Sequence, residues 1–423
     1  MGDPVRKQPP NLHIFQLTFL FFGCGLVLFL ITMGAGVRLL PELAAEQSAR
    51  GPAGWFLTHA FLLGFATMIA MGASYQLTQV MMRTSLFSRP LGYAHLALYV
   101  PGVAGLLAGF ASDAEWIALG GWGVALGACL YAINVAVTFV RKREWNLFVL
   151  GVSLSLLAFL VMIAMGIVMG IGMANGWGAG RYDAIFGTHL WLGVGGWLSG
   201  LILVYSFKLL PMFYVSRKKP TVANYWMVGG FHLGVWLHVL ALWLDAGAAA
   251  SWAAITGDAC VLAAVVWSFL FFREVREMSS GKQPIGVVRM AYHLLPVVIL
   301  AYAAWCVARW YGAGFAMMNE TLVLVLVLGW FAPTIFAYLS KIFPFLWWAR
   351  RFRTKEEKKT APLLSEMIAE KRMVWELGGY LAGVAAVACG FGFGWGEMVL
   401  IGQAAALACI LMYLAELVRV FRH

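Results

Sequence analysis

Charge is what this sequence has least of. Only 12% of its 423 residues are Asp, Glu, Lys or Arg, while 62% are apolar. A water-soluble domain normally carries about a quarter charged residues, so a soluble fold is excluded. Cysteine is scarce as well. Cys24, Cys129, Cys260, Cys306, Cys389 and Cys409 all lie in apolar runs, and no C-x-x-C pair occurs. They read as small buried hydrophobes and not as a disulfide framework. Long polar stretches are missing too. The longest, 349–372, has room for a short interfacial helix and no soluble domain.

What the sequence has in abundance is apolar runs of bilayer-crossing length, which takes about 20 residues each. They fall at 14–40, 55–80, 88–110, 116–140, 146–173, 184–213, 224–245, 250–272, 287–310, 317–347, 373–392 and 397–418. The first is too long for the apolar region of a cleaved signal peptide, and keeping it leaves an even count. With the amino terminus inside, 26 of the 30 basic residues fall on inner loops or inner helix ends, among them Arg6, Lys7, Arg83, Arg217, Lys282 and the run from Arg350 to Lys359. Only Arg38, Arg50, Arg181 and Arg309 stay outside. That bias follows the positive-inside rule and predicts a multi-pass protein of a prokaryotic cytoplasmic membrane, both termini cytoplasmic. The net charge of +11 is thus spread over short loops. It points to the lipid bilayer as partner and away from nucleic acid.

The apolar segments repeat. The second carries Thr58-His59 and reaches Tyr75 sixteen residues after the histidine. The sixth carries Thr188-His189 and reaches Tyr205, and the tenth carries Thr321-Leu322 and reaches Tyr338, again sixteen residues on. Tyr205-Ser-Phe-Lys208-Leu-Leu-Pro211 in the sixth matches Tyr338-Leu-Ser-Lys341-Ile-Phe-Pro344 in the tenth. The third holds Gly92-Tyr-Ala-His95-Leu96 and the seventh Gly229-Gly-Phe-His232-Leu233, while Gly123, Gly257 and Gly402 open the fourth, eighth and twelfth. Self-similarity at a fixed period is a fold-level signal. It predicts one all-α membrane domain over 1–423, built from repeats at about 14–140, 146–272 and 287–421. The expected architecture is an all-α integral membrane protein of about twelve transmembrane helices in three four-helix arcs with pseudo-threefold symmetry.

Twelve helices in three arcs, with histidines near the outer ends of the second and sixth, resemble subunit I of the heme-copper oxidase and nitric oxide reductase superfamily. The resemblance implies that His59, in His59-Ala-Phe-Leu-Leu-Gly64 through Met71-Gly-Ala-Ser-Tyr75, matches an axial ligand of a low-spin heme. It implies that His189, in His189-Leu-Trp191, matches the sixth-helix ligand, and that His238 stands where a seventh-helix His-His pair begins. Two departures are plain. Position 239 is Val, and the tenth segment has Leu322 and no histidine where the family carries His-x-His. The family's oxygen-reducing site is therefore incomplete in this chain.

Six histidines fall in helices, and an imidazole in hydrocarbon should face the bundle interior, pair, or bind something. His59 and His189 share one depth in two repeats and could face each other between the first two arcs. As neutral imidazoles they suit heme iron or copper. His238 lies at the same outer level, whereas His95, His232 and His293 fall in the inner half and form a candidate second metal site. His232 and His238 are six apart, which is not one helix face. Trp191 could flank a cofactor, and Arg181 and Arg309 would suit its propionates. Met162, Met165, Met169 and Met173 line roughly one face of the fifth segment, as core packing or as soft sulfur for copper. Asp258 and Glu376 are candidate intramembrane carboxylates.

These readings lead to a b-type heme-binding protein acting in electron transfer or in handling nitric oxide or oxygen. An electron donor such as quinol or cytochrome c, a small redox subunit, or a second copy of the chain would be its partner. A copper or heme transporter or assembly factor for a respiratory oxidase is the rival. A full reductase with altered ligands is the third reading.

Overall fold

In the computed structural model, residues 12–113, 115–176, 179–280, 286–314 and 317–423 are described. Arg6, Lys7 and Lys282 lie outside the described residues. Helix makes up 86% of the structure, and no strand occurs among the described residues. Twelve helices there are long and apolar enough to cross a membrane, consistent with an integral membrane protein in a lipid bilayer. They are α1 (Phe15–Ala45), α2 (Pro52–Met82), α3 (Arg89–Ala111), α4 (Glu115–Lys142), α5 (Leu147–Met173), α6 (Tyr182–Phe213), α7 (Val222–Trp243), α8 (Ala248–Glu277), α9 (Gly286–Trp310), α10 (Met318–Arg351), α11 (Glu370–Phe393) and α12 (Gly396–Arg422).

Each falls where an apolar run predicts it, but several run on past the end of that apolar run. Helix α8 continues to Glu277 and α10 to Arg351, because backbone hydrogen bonding does not stop where apolar side chains do. Pro41 lies inside the first helix, although the apolar pattern ends just before it. A short helix, Lys355–Thr360, follows α10 in the longest polar stretch. It starts on a capping box in which Thr354 and Glu357 each bond the other's backbone, a standard way to satisfy first-turn N–H groups.

Helices α2, α6 and α10 form the centre. Of their most apolar windows, 72, 72 and 67% are buried, against 33 to 56% in the other nine. All three leave the α-helical register at matching places. A π-helical stretch spans Ala60–Thr67 in α2, Trp191–Ser199 in α6 and Val327–Phe331 in α10. Such stretches weaken local carbonyl pairing and recur at functional sites. Tyrosines on neighbouring helices use the carbonyls: Tyr99 donates to Leu63 O at 3.4 Å and Tyr380 to Leu328 O at 3.0 Å. Hydroxyls stitch the three together. Ser74 hydrogen-bonds Tyr205, Ser206 lies 2.5 Å from Tyr338, and Trp197 Nε1 donates to Thr67 at 2.9 Å. The gap between the three is an apolar cavity of about 50 Å³, lined by residues such as Ala70, Ile202 and Tyr338. That is room for a few waters.

Around this centre, α3 packs on α4, α7 on α8 and α11 on α12. Each pair crosses glycine to glycine. A Cβ on Gly102 would lie 2.6 Å from the Gly123 carbonyl carbon, one on Gly234 2.8 Å from Gly257 O, and one on Gly383 2.6 Å from Gly402 O. Small residues at a crossing let backbones approach, the main source of helix association in lipid. A side chain at Gly257 would meet both Gly234 O at 2.9 Å and the His238 ring at 3.0 Å. Gly257→Leu is therefore expected to cost about 1–3 kcal/mol, read as a lowered unfolding temperature in detergent. An unchanged temperature would contradict the crossing.

Candidate functional site

The sequence-predicted residues gather mostly at the end of the bundle where α2 and α6 begin, here termed the histidine end. Helix α2 starts on Pro52, whose missing N–H costs nothing in a first turn. His59 and His189 each close the opening α-helical turns of their helix, just before the π stretch. Their rings lie 6.0 Å apart between centroids, tilted by 31°.

Both imidazoles are anchored through the same nitrogen. His59 Nδ1 lies 2.7 Å from Trp55 O, one turn back, and His189 Nδ1 lies 2.8 Å from Met162 O on α5. A carbonyl only accepts, so each Nδ1 carries the proton and each Nε2 keeps its lone pair. A backbone anchor of this kind fixes tautomer and ring orientation in metal-ligating histidines. Glycine makes the α5 approach possible: a Cβ at Gly166 would lie 3.2 Å from His189 Cε1. Phe110 packs 5.0 Å from the His59 ring and meets Trp55 edge-on at 5.8 Å. The pair therefore presents two imidazole Nε2 atoms; among the described residues no group of three or more His, Cys, Asp or Glu is placed to hold a metal ion. Leu322 of α10 adds no donor to the pair.

Beside the pair lies a second cluster, contributed by α7, α8 and α9. His238 is buried and stacks flat on Trp191, 3.9 Å between centroids and 5° between planes. Its Nε2 lies 3.0 Å from Asp258 Oδ1, and Asp258 is fully buried. The Tyr302 hydroxyl donates to the same oxygen at 3.0 Å. The other carboxylate oxygen accepts from Trp310 Nε1 at 3.1 Å and pairs with Arg309. The Arg309 guanidinium lies 4.5 Å over Trp305, whose Nε1 donates to Asn319 at 2.8 Å. Asp258 thus has donors on both oxygens, which is what a carboxylate needs in a low-dielectric interior. The Nε2 of His238 is used in this network.

Other expected residues lie apart. Arg181 is exposed at the start of α6, while Arg50 reaches Asp183 at 3.5 Å and lies over Phe186. His95 is buried with Nδ1 2.9 Å from the Tyr75 hydroxyl, and its Nε2 has no partner. His232 is buried 3.4 Å from Ser155, with Nδ1 unpartnered. His293 is exposed beside Arg273 and Arg276. No contact joins these three histidines to one another. Of the α5 methionines, Met162 is buried and Met173 is 57% exposed, so the four do not share one environment. Glu376 is buried near the opposite, basic end, not far from Glu416, which takes Arg372 and Arg419 at 2.5 and 2.7 Å.

Sequence reasoning missed Tyr302, Trp305 and Gly166. No protein-family model matches the chain, and no curated protein matches it.

Proposed function

We propose that this chain binds a b-type heme at His59 and His189 and works in electron transfer or in handling a diatomic gas, in the manner of the oxidase and reductase subunits it resembles. The observation that carries the reading is the two-nitrogen set with both Nδ1 atoms anchored. A bare zinc or copper(II) ion asks for three or four protein donors. Porphyrin iron asks for one or two axial imidazoles, because the macrocycle supplies the rest. His59 and His189, whose rings stand 6.0 Å apart, are the residues that would hold it.

Heme held there would supply one-electron chemistry. The residues do the rest. His59 and His189 present Nε2 lone pairs, Trp55 O and Met162 O hold those rings in place, and Phe110 keeps water from one side. Trp191 and the Asp258 network, in which Arg309 is already paired with the carboxylate, border the site. The repeated π stretches, Ser–Tyr contacts and glycine crossings support three four-helix arcs related by a pseudo-threefold axis. The bias of basic residues supports a cytoplasmic amino terminus in a prokaryotic inner membrane, with the histidine end outward. A quinol or cytochrome c is the class of donor this reading requires.

The test is an optical spectrum of the purified protein, oxidised and reduced, with pyridine hemochrome analysis. A Soret band with about one heme per chain is expected. No band after growth with added heme would end the proposal. A second reading, copper transport or delivery to an oxidase, is favoured by one observation: His189 is anchored on the methionine-bearing helix through Met162 O. Metal analysis giving copper without heme, lost when the four α5 methionines become leucine, would select it.

A further inference from the structure

At the basic end, between the last turns of α8 and the first turns of α9, lies a cleft of about 640 Å³ lined by Phe269, Arg273, Arg276, Ser279, Tyr292 and His293, with Glu277 at its edge. Nothing in the heme reading uses it. Its charge is unbalanced. Arg273 is paired with Glu277 at 3.3 Å, and Glu274 is taken by Lys218 from the preceding loop. Arg276 in the lining forms no ion pair among the described residues, and Arg289, just outside the lining, has Glu370 nearby across Gly286. Arg289 precedes His293 by four residues, so both stand on one face of α9. The Tyr214 hydroxyl, where the α6–α7 loop closes over this corner, is buried without a hydrogen-bond partner, and both guanidiniums act on it electrostatically. Ser279 is held in place by its bond to Tyr214 O at 2.6 Å. The floor is aromatic, Phe269 and Tyr292 stacking at 5.6 Å.

The setting identifies the ligand. Toward the bilayer from the cleft, α8 exposes Val266, Trp267 and Leu270, and α9 exposes Val297 and Leu300. A molecule bound there would meet the Arg276 guanidinium and the Arg273–Glu277 pair at its head, with Arg289 one turn from His293, and apolar side chains along its length. Basic pockets between transmembrane helices at the headgroup level bind anionic lipids, and guanidinium suits phosphate oxygens better than ammonium does. We propose that this cleft is a binding site for the phosphate group of an anionic phospholipid in the leaflet at the basic end.

The experiment uses the full chain, stripped of lipid in detergent, then exposed to phosphatidylglycerol, phosphatidylcholine or inorganic phosphate, with bound phosphorus counted by native mass spectrometry. Wild type should keep one phosphatidylglycerol per chain and no phosphatidylcholine. R276Q/R289Q should bind it at least about tenfold more weakly, since each basic residue near a headgroup adds substantially to attraction. R351Q/R353Q, which removes the same charge elsewhere at that end, should bind as wild type does. Circular dichroism confirms that each variant is folded. Equal retention by all three proteins would overturn the proposal. Saturation by inorganic phosphate, without selective lipid retention, would overturn the membrane source and assign the cleft to a soluble phosphate.

Discussion

Asp258→Ala should destabilise the protein by about 3–5 kcal/mol, the usual loss when one partner of a buried ion pair is removed. The carboxylate is fully buried and serves His238, Tyr302, Trp310 and Arg309 at once. Without it, an arginine and an imidazole near the membrane interior lose their acceptor, and Tyr302 and Trp310 lose theirs. Asp258→Asn keeps an oxygen for Tyr302 or Trp310 but not the charge, so it should cost less. Combining Asp258→Asn with Arg309→Gln removes both charges and should recover part of that loss, because the cost lies in the unpaired cation. Unfolding followed in detergent by temperature or denaturant measures the series. A loss below about 0.5 kcal/mol for Asp258→Ala would mean that water reaches the site and the network is no structural unit.

The second large effect concerns the cofactor. His59→Ala and His189→Ala should each lower heme content at least about tenfold, since even outer-shell partners of a ligand are worth that much in metal affinity. Added imidazole should restore part of the Soret band, because the deleted side chain leaves a space of its own shape. Gly166→Val should act on the same band from a distance. Its side chain would press on His189, to which a bare Cβ would already stand at 3.2 Å. His238→Gln should leave the band in place, because the Nε2 of His238 is bonded to Asp258. If His238→Gln abolished the band while His59→Ala did not, the ligands would have to be reassigned to the α7–α8 cluster.

The pair and the cluster were legible in the sequence to different degrees. His59 and His189 stood out because each follows a threonine and precedes a tyrosine by sixteen residues, a pattern internal to one helix. Asp258 and Arg309 were visible only as isolated charges near helix ends, with no sign that they meet. Tyr302 carried no signal, since a tyrosine in an apolar helix is ordinary. The π stretches were invisible for a related reason: a shift of hydrogen-bond register over Ala60–Thr67 leaves no mark in hydropathy.

The sequence by itself determined that the chain is helical, that it has twelve helices long and apolar enough to cross a membrane, and where each begins and ends to within a few residues. All of these depend on local sums, such as apolar residues per turn. Only the tertiary structure decided what meets what. The 6.0 Å approach of His59 to His189 depends on how two helices are rotated and offset along the membrane normal. So does the convergence of α7, α8 and α9 on Asp258. Rotation and offset are set by close contacts such as Gly234 on Gly257 and Gly166 on His189. Those contacts depend on residues far apart in the chain and on shape, which no local sum records.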